Sequence, residues 1–316
     1  MIYILLTLWI VSAVLIVIEQ RTVRTIFFFS VFSLLSALCF LVLGSPDVAM
    51  AEAAVSAFMV IFFIICFEKY YDLRTDNPSA PINRYINLKK HAKKHAGLAL
   101  YTMFLFGLFV YFMPGGTANT YLKAQYLSRF ASEIGGQNAV TAIYLGYRMY
   151  DTIFEALMLL VSVTAVLHMS WYKKLDAAQG RGSDIKSSKM SVFAIREISP
   201  VILLFGVYLT AHGHISAGGG FHGGVAIASF FICRYLVHDI YDTPIVKYVK
   251  VEKFIFAAII SLAAMVIFAR ALIYVPIGYQ PMAQVIYLII MNTLIAVKVS
   301  CGFVILFYRF ITIERS

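Results

Sequence analysis

Nine apolar runs, each close to the ~20 residues that cover a hydrocarbon core, follow one another along the chain. They fall at 1–18, 25–43, 46–67, 96–113, 149–171, 193–212, 224–240, 254–274 and 283–308. Runs of this kind leave few folds open. Backbone polar groups in lipid must be satisfied internally, so spanning segments are helices or closed barrels, and a barrel shows short alternating segments instead. The sequence therefore predicts an all-α integral membrane protein with about nine transmembrane helices. Composition agrees: hydrophobic residues are 61% and charged residues 13% of the 316, against roughly 45–50% and 25% in soluble domains. The first run lacks a basic n-region and a small-residue cleavage site, and reads as a retained helix.

The net charge of +10 could suggest a nucleic-acid ligand, but its distribution speaks for topology. Odd-numbered connections carry Arg21 and Arg24; Lys69, Arg74, Arg84, Lys89, Lys90, Lys93 and Lys94; Lys173, Lys174, Arg181, Lys186 and Lys189; and Lys247, Lys250 and Lys253. Even-numbered connections carry Lys123 and Arg129, with Arg148 at the very edge of the fifth run. This asymmetry predicts an outside N-terminus and a cytoplasmic C-terminus in the plasma membrane. The basic tract at 84–95 then faces anionic lipid rather than nucleic acid.

Three connections divide the runs into blocks of three, two and four. Residues 71–95 hold Pro78, Pro81 and the basic tract; 114–137 run from Pro-Gly-Gly to Gly-Gly-Gln; 173–191 are polar and include Gln-Gly-Arg-Gly-Ser. The expected domains are 1–95, 96–192 and 193–316, with no obvious internal repeat.

Charges inside such runs carry the chemistry. A charge at the bilayer centre costs about 2.5–3.5 kcal/mol on insertion scales, so it faces protein or water and often marks an ion path. Arg148, Asp151 and Glu155 are spaced three and four apart and would share one helix face. Ser45, Pro46 and Asp47 open the third run as cap, first helical residue and dipole partner. Asp47 thus has a structural explanation beside a functional one. Glu52 lies about 9 Å further along that helix, at 1.5 Å per residue, with no adjacent base. Such a carboxyl suits binding and release of a proton or cation. Lys298 lies midway through the last run and needs a carboxylate partner, expected among Glu52, Asp151 and Glu155, or a water-filled pocket. Arg196, Arg234 and Arg270 lie near run ends and read as snorkelling.

Between the sixth and seventh runs stands Gly213, His214, Ser216, Ala217, Gly218, Gly219, Gly220, Phe221, His222, Gly223 and Gly224, with Ile215 among them. Two readings stay open. The segment is a packed turn at membrane depth, or its N–H groups form a cradle for an anion or water. His212, His214 and His222 come without acidic or cysteine ligands, so no metal site is expected. Cys39, Cys66, Cys233 and Cys301 lie within or at the ends of apolar runs, show no paired spacing and read as reduced core residues.

These segments carry a family resemblance. The Ser45-Pro-Asp-Val-Ala-Met-Ala-Glu52 stretch resembles the short three-helix subunit of archaeal-type membrane-bound hydrogenases. That subunit is similar to the C-terminal tail of the large subunit of Mrp-type cation/proton antiporters. Gly135 to Ile143, followed by Tyr147, Arg148, Tyr150, Asp151, Thr152 and Glu155, resembles the next segment of the same tail. Thr141 stands there for a usual Asn and Gly146 for a usual Asp. The Gly-rich segment resembles the signature of the Mrp B-type subunit, with Ala217 for a usual Pro. The likeness covers about 20–70, 135–170 and 193–310. It implies a natural fusion of small antiporter subunits, and Glu52 favours the hydrogenase-type lineage.

By resemblance, the chain is a membrane subunit of a multisubunit Na⁺/H⁺ antiporter module, moving Na⁺ and H⁺ through Asp47, Glu52, Arg148, Asp151, Glu155 and Lys298. Its implied partners are other antiporter-like membrane subunits and a hydrogenase-type redox arm. Nothing in the sequence suggests a flavin, nucleotide, Fe–S or nickel site, so no redox chemistry is expected in this chain. Two rivals remain open. One is a passive scaffold, which permanent pairing of the carboxylates with Arg148 and Lys298 would fit. The other is an independent transporter, disfavoured by the missing repeats.

Overall fold

The computed structural model describes residues 2–19, 21–70, 100–101, 103–105, 107–108, 111, 120–169, 189–237, 245–273 and 281–312. Two compact units are present: Met1–Tyr71 with Arg129–Ser316, and Asp72–Ser128. The described residues of the second unit are helical, at 100–101, 103–105, 107–108, 111 and from Thr120 onward. The fourth apolar run, 96–113, lies largely outside the described residues.

The helices are α1 (Ile2–Ile18), α2 (Thr22–Val42), α3 (Pro46–Tyr70), α4 (Thr120–Glu133), α5 (Ala139–Ala142), α6 (Met149–Met169), α7 (Lys189–His212), α8 (Gly220–Val237), α9 (Ile245–Ile273) and α10 (Pro281–Thr312). A π-helical turn, Ile143–Tyr147, joins α5 to α6. No strand occurs among the described residues. Among the described residues, six helices are long and apolar enough to cross a membrane, and α1 and most of α8 are shorter apolar helices. Eight of the nine expected runs thus correspond to helices of a multi-pass membrane protein.

Two boundaries differ from expectation. The 114–137 connection contains α4, whose polar and apolar residues are interleaved and give no continuous apolar run. The eighth run begins at Ile245 rather than 254, because Ile245, Val246, Tyr248, Val249 and Val251 continue its apolar pattern between the lysines. Lys247, Lys250, Glu252 and Lys253 are therefore helical, not loop.

In the first unit α10 is the hub. It packs against α3, α6, α7, α8 and α9. Of its apolar window 67% is buried, against 17–22% for the other five long apolar helices. The close seat of α8 on α10 depends on two glycines. A Cβ on Gly224 would lie 2.7 Å from the Ala296 carbonyl oxygen, and one on Gly220 would run into the Asn292 carbonyl and the Ile295 side chain. Edge contact of Phe58 with Phe303 at 4.7 Å seats α3 on the same hub. At the periphery, Trp9 stacks on Phe32 at 4.9 Å and donates its indole N–H to Ser36 Oγ, tying α1 to α2.

Candidate functional site

The polar residues of the first unit gather where the α3 start, the α5 cap and the α7–α8 turn meet. Asn138 caps α5: its Oδ1 accepts from the N–H groups of Val140 (2.9 Å) and Thr141 (3.4 Å). Its Nδ2 reaches Asp47 Oδ1 (3.1 Å), Gly213 O (3.2 Å) and Ser216 O (2.9 Å). Asp47, 8% exposed, also accepts from the Gly218 N–H at 3.2 Å, and its backbone oxygen lies 3.0 Å from His222 Nε2. Asp47 is therefore more than a helix cap. It is a carboxylate held by neutral donors and shared by three segments.

The network continues inward. Thr141 Oγ1 donates to Gly213 O at 2.5 Å, and Tyr144 OH donates to Asn292 Oδ1 at 3.0 Å. That same oxygen accepts from the Gly220 N–H at 3.1 Å. Asn292 is fully buried, and its Nδ2 has no hydrogen-bond partner among the described residues.

The Gly-rich segment resolves toward the packed turn. The Gly218 N–H is taken by Asp47, that of Gly219 by Leu209 O (3.0 Å), that of Gly220 by Asn292 and that of Gly223 by Gly219 O (3.0 Å). Four donors that the cradle reading would use are thereby taken within the fold. His214 serves through its backbone oxygen, which accepts from the N–H groups of Gln137 (2.8 Å) and Asn138 (3.1 Å). Phe221 contacts Phe303 edge-on at 6.4 Å. No group of three or more His, Cys, Asp or Glu side chains that could hold a metal occurs among the described residues. Cys39, Cys233 and Cys301 are buried free thiols.

The intramembrane charges separate into paired and unpaired groups. Arg148 stands after the π-turn and bridges Asp151 at 2.5 Å, with both side chains exposed. Lys298 does not meet Glu52, Asp151 or Glu155. It bridges Glu252 on α9 at 3.3 Å, the side chains being 0% and 1% exposed. Glu252 lies just before residue 254, the expected start of the eighth run, and is the sole acid between Asp242 and Glu314. Glu52 is half-buried and accepts from Ser33 Oγ on α2 at 3.0 Å. Glu155 lines a recess on α6 with Thr152, Leu159, Phe221, Ile295 and Val299. Neither Glu52 nor Glu155 is ion-paired among the described residues. Arg196 and Arg234 are exposed, whereas the Arg270 side chain lies outside the described set.

The sequence singles out Asp47, Glu52, Asp151, Glu155 and Lys298 as candidates, and does not single out Ser33, Tyr144, Glu252 or Asn292, which the structure places beside them. Ser33 and Tyr144 carry no sequence signal, because a hydroxyl in an apolar helix is ordinary. Asn292, a lone amide in the last apolar run, was a usable one.

Comparison with known proteins adds to this geometry. A family model described as a domain related to the MnhB subunit of Na⁺/H⁺ antiporter matches residues 190–308. A second, for the MbhD component of MBH, matches residues 7–71. The "Putative antiporter subunit mnhA2" of Staphylococcus aureus strain MRSA252 is 27% identical over 178 residues, covering 55% of this chain and 20% of that protein. Its counterpart in strain JH9 is 27% identical over 173 residues, covering 54% and 19%. The chain therefore spans about a fifth of the length of these curated relatives. The Mrp complex from Dietzia sp. DQ12-45-1b superposes with a TM-score of 0.73 at 18% identity, over 99% of this chain and 35% of that one. This likeness establishes the fold. The membrane-bound sulfane sulfur reductase (MBS), an archaeal respiratory membrane complex, gives a TM-score of 0.53 at 27% identity, over 67% and 95%.

Proposed function

We propose that this chain, which joins an MbhD-like and an MnhB-like segment of the Mrp type in one polypeptide, is an ion-moving membrane subunit of a multisubunit Na⁺/H⁺ antiporter module. The observation that carries the proposal is the pairing pattern. Arg148 is taken by Asp151 and Lys298 by Glu252. Glu52 is left with a neutral hydroxyl from Ser33, and Glu155 lines a recess. A carboxylate held by a neutral donor exchanges a proton for Na⁺ without first breaking an ion pair, which is what alternating Na⁺ and H⁺ binding requires. Glu52 and Glu155 are the exchanging groups in this reading. Asp47 anchors the polar junction, and Asp151 with Arg148 forms a neutralised pair at the start of α6.

A passive scaffold is the second reading, and the Arg148–Asp151 and Lys298–Glu252 pairs are what favour it. It leaves Glu52 and Glu155 unexplained, since neither needs to be ionisable to hold helices together.

The N-terminus is outside and the C-terminus cytoplasmic in the plasma membrane, following the basic-loop asymmetry. The module works beside other antiporter-like membrane subunits and is coupled to a redox arm of hydrogenase type. The MbhD match over 7–71 and the presence of Glu52 support that coupling. Copurification in mild detergent tests it. Hydrogenase-like and long antiporter-like subunits should accompany the chain, and recovery of the chain alone would contradict the assignment.

A further inference from the structure

The Glu252–Lys298 pair is a poor clasp. Burying two charges costs several kcal/mol per ion, repaid only when geometry is good and the remaining donors and acceptors are satisfied. Here they are not. Lys298 Nζ makes one hydrogen bond, 3.3 Å to Glu252 Oε1, and lies 5.9 Å from the centre of the Phe256 ring, although an ammonium carries three donors. Glu252 Oε2 is buried with no hydrogen-bond partner among the described residues. Two apolar side chains would join α9 to α10 as well or better.

The same features suit a group that passes a proton. Each partner keeps one side engaged with the other and one side free. The other titratable groups acting on the pair are Lys253 on α9 and Cys301 on α10. Tyr248, one turn before Glu252, is in turn influenced by Tyr308, Cys301 and Arg234. Neither Lys253 nor Cys301 is ion-paired to Lys298 or Glu252, so the two partners face each other as the dominant charges of this site.

We infer that the α9–α10 pair is a proton relay belonging to the MnhB-like half of the chain, separate from the carboxylates Asp47, Glu52 and Glu155. The step balances. A proton moves from Lys298 Nζ to Glu252, leaving a neutral amine and a neutral acid. The carboxyl group then turns to release the transferred proton on its unpartnered side, the amine takes up a new proton at its own free side, and the ion pair is restored. One proton enters and one leaves, with no net charge gained in the low-dielectric site.

This relay rests on the antiporter reading, and the test separates the two. Lys298→Arg keeps a cation that can pair with both oxygens of Glu252 but does not give up a proton in a protein. Na⁺-driven proton movement is measured in inverted membrane vesicles containing the whole complex. The complex should assemble with Lys298→Arg while transport falls by about tenfold or more, the scale of losing a positioned proton-transfer group. The doubly neutral variant, Glu252→Gln with Lys298→Met, guards against misfit of the larger guanidinium; it should also assemble and fail to transport. Wild-type transport by either assembled variant overturns the relay and leaves the antiporter reading standing. Absence of transport in the wild-type complex sinks both.

Discussion

Asn138 Nδ2 and Asp47 Oδ1, 91 residues apart in sequence, lie 3.1 Å from each other and join the start of α3 to the cap of α5. The same amide reaches the carbonyls of Gly213 and Ser216 in the α7–α8 turn. One side chain therefore ties together the MbhD-like segment, the central segment and the MnhB-like segment. A fused chain makes this junction within one molecule.

Removing that side chain should be costly. Asn138→Ala deletes a helix cap and takes one donor each from the buried Gly213 carbonyl, the Ser216 carbonyl and Asp47 Oδ1, of which Gly213 keeps Thr141 and Asp47 keeps Gly218. The combined cost is about 2–4 kcal/mol. Asn138→Asp keeps the cap acceptor but sets a second carboxyl against Asp47, and should be at least as damaging. Thermal stability of the detergent-solubilised complex checks this. Unchanged melting for both variants would mean the junction forms differently.

The glycine seat of α8 on α10 gives a second prediction. Gly220→Ala and Gly224→Ala each push a methyl into α10 backbone, an overpacking cost of about 1–3 kcal/mol. Both should lower the yield of assembled complex, and the double substitution more than either alone. Normal yield from the double variant would rule out so close an approach.

What the sequence made legible was the part governed by local pattern. Apolar runs gave eight helices now described, and rare charges in those runs led to Glu52, Glu155 and Lys298. Two failures share one cause, which is reliance on uninterrupted apolarity. Interleaved polar residues hid α4, and the lysines at the start of α9 hid the helical setting of Glu252. Lys298 was assigned the wrong partners for that reason. The junction was illegible on other grounds. Asn138, Tyr144 and Asn292 are ordinary residues until folding brings positions 47, 138, 213 and 292 together, and no spacing in the chain encodes that meeting.

Orientation follows from charge and is directly measurable. A cysteine replacing Ser216, in the turn between α7 and α8, should react with a membrane-impermeant reagent from outside. One replacing Lys90, in the basic tract outside the described residues, should react only from the cytoplasmic side. Reversed labelling of both would invert the topology.

The Arg148–Asp151 pair is exposed on both sides, 63% and 55%, so its contribution is small, at most about 1 kcal/mol for an exposed pair. Asp151→Asn should leave assembly intact and reduce transport less than Glu155→Gln does. A larger loss from Asp151→Asn in vesicle transport would place Asp151 among the exchanging groups.

The exchange assigned to Glu52 and Glu155 is tested most directly by Na⁺-driven proton movement in inverted vesicles carrying the assembled complex with Glu52→Gln or Glu155→Gln. Each change keeps size and removes only ionisation. Each assembled variant should lose most of the wild-type transport, about tenfold or more if a proton-exchanging group is gone. Wild-type rates from both assembled variants would contradict the account and favour a scaffold.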